Sequence, residues 1–162
     1  MIVKPSNGLK IIDRVKNIFK LSQGEYIVSE KLERAYEQSP LIAQIFIHGD
    51  SFRDHIVAII CPEVTQMANL IRGRTQEAPG ALSLETFLER YPDIIREAIE
   101  ADLERMAKEN NFNSLEKVKG NFRLVPTEFE ALGILTPTMK LKRHAAKALF
   151  ASQISEMYEP TK

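Results

Sequence analysis

The sequence predicts an α+β fold: a small antiparallel sheet of about three strands, packed by helices, with a β-hairpin appended near the N-terminus. Two observations carry most of this. Residues 42–48 and 55–61 are almost wholly apolar runs joined by the turn-forming "GDSFRD", which reads as an antiparallel pair lying at the centre of a sheet. Further on, Pro92 opens a segment in which Ile95, Ile99, Leu103 and Met106 recur at three- and four-residue steps, with charges on the opposite face. That pattern is an amphipathic helix laid on a core.

The remaining elements follow in chain order. Residues 9–13 are a short β-type run. Residues 18–21 and 26–28 flank the polar stretch Ser22, Gln23, Gly24, Glu25 and predict a two-stranded hairpin. Ser29 is placed to cap a helix through "EKLERAYEQ", with Glu30 in the favourable first turn and Pro40 as the stop. A short helix is expected over 63–73, then a mobile loop around "RGRTQEAPGA", where Pro79 and Gly80 interrupt any regular structure. Residues 118–125 predict a third strand, with Gly120 marking a bulge. A turn-rich connection, "PTEFEALGILTPT", leads to Met139–Leu141 and to one last helix over about 143–158, striped by Ala146, Phe150, Ile154 and Met157. The first residues, "MIVKPSNG", read as a strand end and a turn, so the expectation is a fragment of a longer protein.

Composition narrows the function. At 162 residues the chain is one domain, or one domain with a small appendage. Its 22 basic and 22 acidic residues balance, which argues against nucleic acid as a partner, since phosphate binding needs a cationic surplus. One local cluster stands out, at Lys140, Lys142 and Arg143. A single cysteine, Cys61, excludes an internal disulfide and reads as a packed strand residue. No apolar run reaches the length of a membrane span, and no signal-peptide core opens the chain. The expected setting is the cytoplasm, with peripheral membrane attachment left open. His48, His55 and His144 show no metal-ligand spacing, and no metal site is expected. The seven glycines are scattered singly, so no backbone phosphate cradle is available, and no serine sits in a glycine elbow.

Two polar clusters remain, both at loop positions. In "IIDRVKNIFKLSQGEY", Arg14 and Lys16 alternate at a strand exit and so project to one side, while Gly24 allows a close backbone approach. In "LTPTMKLKR", Pro137 and the threonines set an extended approach to Lys140 and Lys142, just ahead of a helix. Cations there oppose the helix dipole, so helix stability does not account for them. Each cluster alone reads equally as a solvated charged loop.

Taken together, "LKIIDRVKNIFKLSQGEYIVSEKLE" and "ILTPTMKLKR" resemble the C-terminal domain of long-chain acyl-CoA synthetases, members of the adenylate-forming superfamily. "SPLIAQIFIHGDS", "VAIICPE" and "SQISEMY" extend the likeness over nearly the whole chain from about Asn7. The wider superfamily carries Ser-Gly before the catalytic lysine; the glycine position here is Met139, a departure that favours the long-chain branch. Ser29 stands where relatives usually have proline. The resemblance implies that residues 1–16 end an inter-domain linker with Lys16 as its hinge, and that 17–162 form a mobile domain. It implies nucleotide contacts at Asp13 and Arg14, adenylation by Lys140, and a loop facing coenzyme A at Ser22, Gln23, Gly24 and Glu25. ATP with Mg2+, a fatty acid and coenzyme A would be the reactants, and an N-terminal ATP- and acyl-binding domain the partner. This chain by itself is expected to be inactive. A stand-alone binding or regulatory module of the same fold is the alternative, and a medium-chain or aromatic acid the alternative substrate.

Overall fold

Strand β6 (Val57–Pro62) is buried along its whole length because it is the middle strand of three. The computed structural model describes residues 18–159, together with the backbone of two short strands, β1 (Ile2–Val3) and β2 (Lys10–Ile11), which pair antiparallel. On one side of β6 lies β5 (Ile42–His48), antiparallel, in register from Ile42 opposite Pro62 to His48 opposite Val57, with one irregularity between Ile42 and Gln44. On the other lies β7 (Phe122–Leu124). The expectation of an antiparallel third strand is corrected here: β7 runs parallel to β6, pairing Ala58 with Phe122 and Ile60 with Leu124. The reason is the connection. Helices α2 (Val64–Arg74), α3 (Leu84–Arg90) and α4 (Pro92–Glu109) separate the two strands, a crossover long enough to return the chain to the same end of the sheet.

The N-terminal hairpin forms as expected from β3 (Ile18–Lys20) and β4 (Tyr26–Val28), with Phe19 opposite Ile27. It passes directly into α1 (Ser29–Tyr36), whose N-cap is Val28. Ser29 is therefore not the cap; it is the first helical residue and is buried. The stripe of α4 lies in the core as read, with Ile95, Ile99, Leu103 and Met106 all buried. Helix α3 is absent from the sequence reading although a signal was present: Ser83 accepts the Thr86 N–H at 3.2 Å, an N-cap spelled by "SLET" at the end of a polar loop.

Two further expectations are corrected. Residues 118–120 lie outside the sheet, with Gly120 in a turn instead of a bulge, and the Asn121 carbonyl accepts the Ala58 N–H of β6 at 3.0 Å. The Arg96 guanidinium donates to the Gly120 carbonyl at 2.7 Å and to that of Phe122 at 3.2 Å, and lies 4.2 Å from the centre of the Phe122 ring. The Gly120 carbonyl, satisfied by an arginine, needs no neighbouring strand. The last helix is two, α5 (Arg143–Leu149) and α6 (Ala151–Tyr158), meeting at Phe150. Phe150 packs against Phe129 and Phe46, and α6 then brings the Tyr158 hydroxyl to the His55 carbonyl at 2.9 Å. Among the described residues no helix is long and apolar enough to cross a membrane.

Cys61 lies in the middle strand with no exposed surface, and burial, with Glu128 and Glu63 nearby, pushes its thiol up to about 12. The thiolate is the reactive form, so the folded chain is protected twice, by access and by ionisation. Labelling by a thiol reagent at pH 8 is expected to proceed only through unfolding, with a rate that rises with denaturant in step with the unfolding equilibrium. Rapid, denaturant-independent labelling would show that β6 is not the closed centre of the sheet.

Candidate functional site

The two polar loops singled out in the sequence turn out to share one backbone design. In the first, the Leu21 N–H donates to the Glu25 carbonyl at 2.9 Å and the Gly24 N–H to the Leu21 carbonyl at 2.9 Å, with Gly24 at φ +90°. In the second, the Thr136 N–H donates to the Lys140 carbonyl at 2.7 Å and the Met139 N–H to the Thr136 carbonyl at 2.9 Å, with Met139 at φ +64°. Each is a hairpin closed by three loop residues, the third in the left-handed region. Glycine meets that demand at position 24, and methionine meets it at 139 under strain.

The Lys140 turn is built stiffly. Thr136 Oγ1 accepts the Lys140 N–H at 3.0 Å and lies 3.1 Å from the Thr138 hydroxyl. Leu135 and Leu141 form a β-bridge below it, and the Lys142 N–H donates to the Ile134 carbonyl at 2.7 Å. Pro137 thus occupies the second position of a tight turn, correcting the extended approach expected there. The consequence is a rigid base from which the exposed Lys140 side chain projects. It borders an open cavity of about 800 Å3 that Glu30, Arg34 and Glu37 also line.

A buried ion pair anchors that base. Arg143, the first residue of α5, forks onto Glu33 of α1, with Nη1 to Oε1 at 2.8 Å and Nη2 to Oε2 at 2.6 Å. Oε1 also accepts the Ile47 N–H at 3.0 Å. Burial pushes the Glu33 carboxyl above its ordinary value, against the pull of Arg143 and the Ile47 N–H. The cationic cluster read from the sequence is therefore divided: Arg143 is structural, while Lys140 and Lys142 face solvent.

The other turn is pinned to a different neighbour. The Ser22 N–H donates to the Arg53 carbonyl at 2.9 Å and Gln23 Nε2 to the Asp54 carbonyl at 2.8 Å. Lower in the hairpin, Phe19 lies so close to Gly49 that a β-carbon there would come within 2.5 Å of the ring. Between the bases of the two turns lies a second cavity, about 550 Å3, with Phe19 and His48 on one side and Lys142, His144 and Lys147 on the other. Burial, and next the charge of Lys147, hold His48 below the ordinary histidine value; Asp50 pulls the other way.

Of the site residues read from the sequence, Lys140 and the 22–25 turn are both described; Lys140 borders the first cavity, and the 22–25 turn lines neither. Asp13, Arg14 and Lys16 lie outside the described residues. Sequence reading missed Glu33 and Gly49. Glu33 carried a signal, an acid set among Ser29, Leu32 and Tyr36 on the buried stripe of α1.

The fold is found in part of known adenylation domains. The fold matches the adenylation domain of a carboxylate reductase from Mycobacterium chelonae, with a TM-score of 0.71 and 32% identity over 94% of this chain and 21% of that one. It also matches the adenylation domain of the carboxylic acid reductase from Segniliparus rugosus, solved with AMP and a co-purified carboxylic acid, at 0.72 and 29%, over 95% of this chain and 21% of that one. No family profile matches the chain. Individual relatives do, and they are long-chain-fatty-acid–CoA ligases. Identity is 43% to long-chain-fatty-acid–CoA ligase 1 of Cavia porcellus, over 98% of this chain and 22% of that protein. It is 42% to the peroxisomal long chain acyl-CoA synthetase 7 of Arabidopsis thaliana, over 95% and 21%. The chain is thus a homologue of these ligases that spans about a fifth of their length.

Two outcomes test the site's supports. Glu33→Ala takes the carboxylate away from the part-buried Arg143 guanidinium and is expected to cost about 3 kcal/mol in denaturant unfolding, whereas Glu33→Leu with Arg143→Met should cost much less. His48, depressed when folded, takes up a proton more readily in the unfolded chain. Stability is therefore expected to fall as the pH drops below about 6.5, the ordinary histidine value. His48→Gln should flatten that slope between pH 7.5 and 5.5; an unchanged slope would assign it elsewhere.

Proposed function

We propose that this chain is the C-terminal domain of an ATP-dependent, AMP-forming long-chain fatty acid–CoA ligase, and that it serves the two halves of the reaction with its two turns. The observation that carries the reading is the 43% identity to such a ligase over 98% of the chain. The stiff turn that presents Lys140 supports it.

In the first half, a carboxylate oxygen attacks the α-phosphorus of ATP and pyrophosphate leaves with the electrons of the broken P–O bond, giving the acyl-adenylate. Two anions must meet, and the repulsion grows toward the transition state. A lysine ammonium placed between them offsets it. Lys140 suits the task because a long stem on a rigid base can carry one compact charge into another domain. In the second half, the thiolate of coenzyme A attacks the acyl carbonyl and AMP leaves. The cation must then withdraw and the 22–25 turn replace it, by rotation of the domain about Lys16. Asp13 and Arg14 would contact the adenylate, Arg14 through its planar fork. Mg2+ would arrive with ATP. Among the described residues no three His, Cys, Asp or Glu side chains come together to hold a metal, so no step is assigned to one here. The ATP and acyl sites are assigned to the large domain that makes up the rest of the ligase.

Three measurements test this. The chain alone, given ATP, fatty acid and coenzyme A, is expected to make no thioester above background. In the full-length ligase, Lys140→Ala should slow pyrophosphate release by roughly 10²–10³-fold and leave thioester formation from supplied acyl-adenylate nearly intact. Lys16→Pro, which fixes φ near −65°, should do the reverse. If both variants lose both halves equally, the rotation is wrong for this protein.

A further inference from the structure

Met139 stands where a methionine is doubly unfavourable. Its φ of +64° lies in the left-handed region, which costs a non-glycine residue about 1–2 kcal/mol. The matching position of the sister turn holds Gly24. Its side chain is also 59% exposed, one of only four large apolar side chains so placed among the described residues. A strained backbone that also presents an apolar group to water has two reasons to be glycine. Strain of this kind is retained where a second contact uses the side chain.

Within the described residues that contact is incomplete, because Met139 only borders the open cavity beneath the turn. The turn itself says where the rest must come from. Met139 and Lys140 are consecutive on one hydrogen-bonded loop, so a body that receives Lys140 meets Met139 as well. The relatives are more than four times as long as this chain, so the ligase proposed above has a large second body to meet the turn.

We infer that Met139 is a positioning residue for Lys140: its side chain seats against an apolar recess of the ligase's large domain when Lys140 faces the carboxylate and the α-phosphate. The inference rests on the role proposed above for Lys140. In the free domain the thioether is wet; in the adenylation pose it is dry. The difference favours that pose and has no effect once the domain has turned its other face. An unbranched, polarizable side chain suits a contact that is made and broken in each turnover.

The test uses the full-length ligase with Met139→Gly, Met139→Ala and Met139→Leu, and Lys140→Ala alongside. Pyrophosphate release and thioester formation from supplied acyl-adenylate are measured separately, with thermal unfolding of each variant. Met139→Gly is expected to raise the unfolding midpoint, because it relieves the turn, yet to slow pyrophosphate release about tenfold, the loss appropriate to burying roughly half a methionine side chain. Met139→Ala keeps the strained turn and should be slowed similarly without the gain in midpoint. Met139→Leu should stay within about twofold of the parent, and the thioester step should not slow in any of the three. If Lys140→Ala fails in adenylation while Met139→Gly or Met139→Ala proceeds at the parental rate, the contact does not exist. If Met139→Gly slows and Met139→Ala does not, looseness of the turn is the cause and the inference fails. If Lys140→Ala adenylates normally, the role of Lys140 is wrong and this inference falls with it.

Discussion

The base of the Lys140 turn depends on one buried carboxylate. Glu33 has little access to water, and such a group is tolerated only when its oxygens are occupied. Arg143, 110 positions along the chain, occupies both with its fork, and the Ile47 N–H shares one of them. Helix α1, the open edge of β5 and the start of α5 are thereby tied at a single point. The edge is closed further by Glu37, whose Oε1 accepts the Ile45 N–H at 3.4 Å. Four residues along a helix rise about 6 Å and two along a strand about 6.7 Å. Acids on successive turns of α1 can therefore meet alternate amides of β5, an exposed edge that would otherwise invite pairing with another chain.

In the role proposed for this domain, that anchoring lets a rigid body offer two different tools. The Lys140 turn hangs from α5, held through Arg143, while the 22–25 turn is clamped to the loop that carries Arg53 and Asp54. Neither clamp involves the other. A domain that exchanges one face for another needs each face to be preformed, because a turn that had to order on arrival would charge its conformational entropy against the reaction at every cycle. The Lys140 stem is left exposed, which is what the role proposed for it requires.

The Met139 turn and the Gly24 turn show the same constraint answered differently. Identical hydrogen-bond closure demands a left-handed residue in both, and the chain supplies glycine once and methionine once. Backbone geometry therefore does not decide which residue stands there. In the inference drawn for Met139, what the side chain touches outside the turn decides it.

The sequence by itself determined the elements whose residues interact with near neighbours. The Pro92 stripe, the paired apolar runs at 42–48 and 55–61, and the Gly24 hairpin were legible because period, turn chemistry and apolar content are local properties. Cys61 as a packed strand residue, and exposed lysines before α5, were legible for the same reason. Only the tertiary structure decided the rest. The parallel direction of β7 depends on where a crossover of three helices returns the chain, and Gly120 turns away from the sheet with its carbonyl held by Arg96, two dozen residues earlier. Arg143 looked like a third member of a cationic loop until Glu33 arrived from the far end of the sequence. The strain at Met139 appears only when the turn closes around it. In each case the deciding partner is distant along the chain, and its approach is set by packing, which no local window of residues contains.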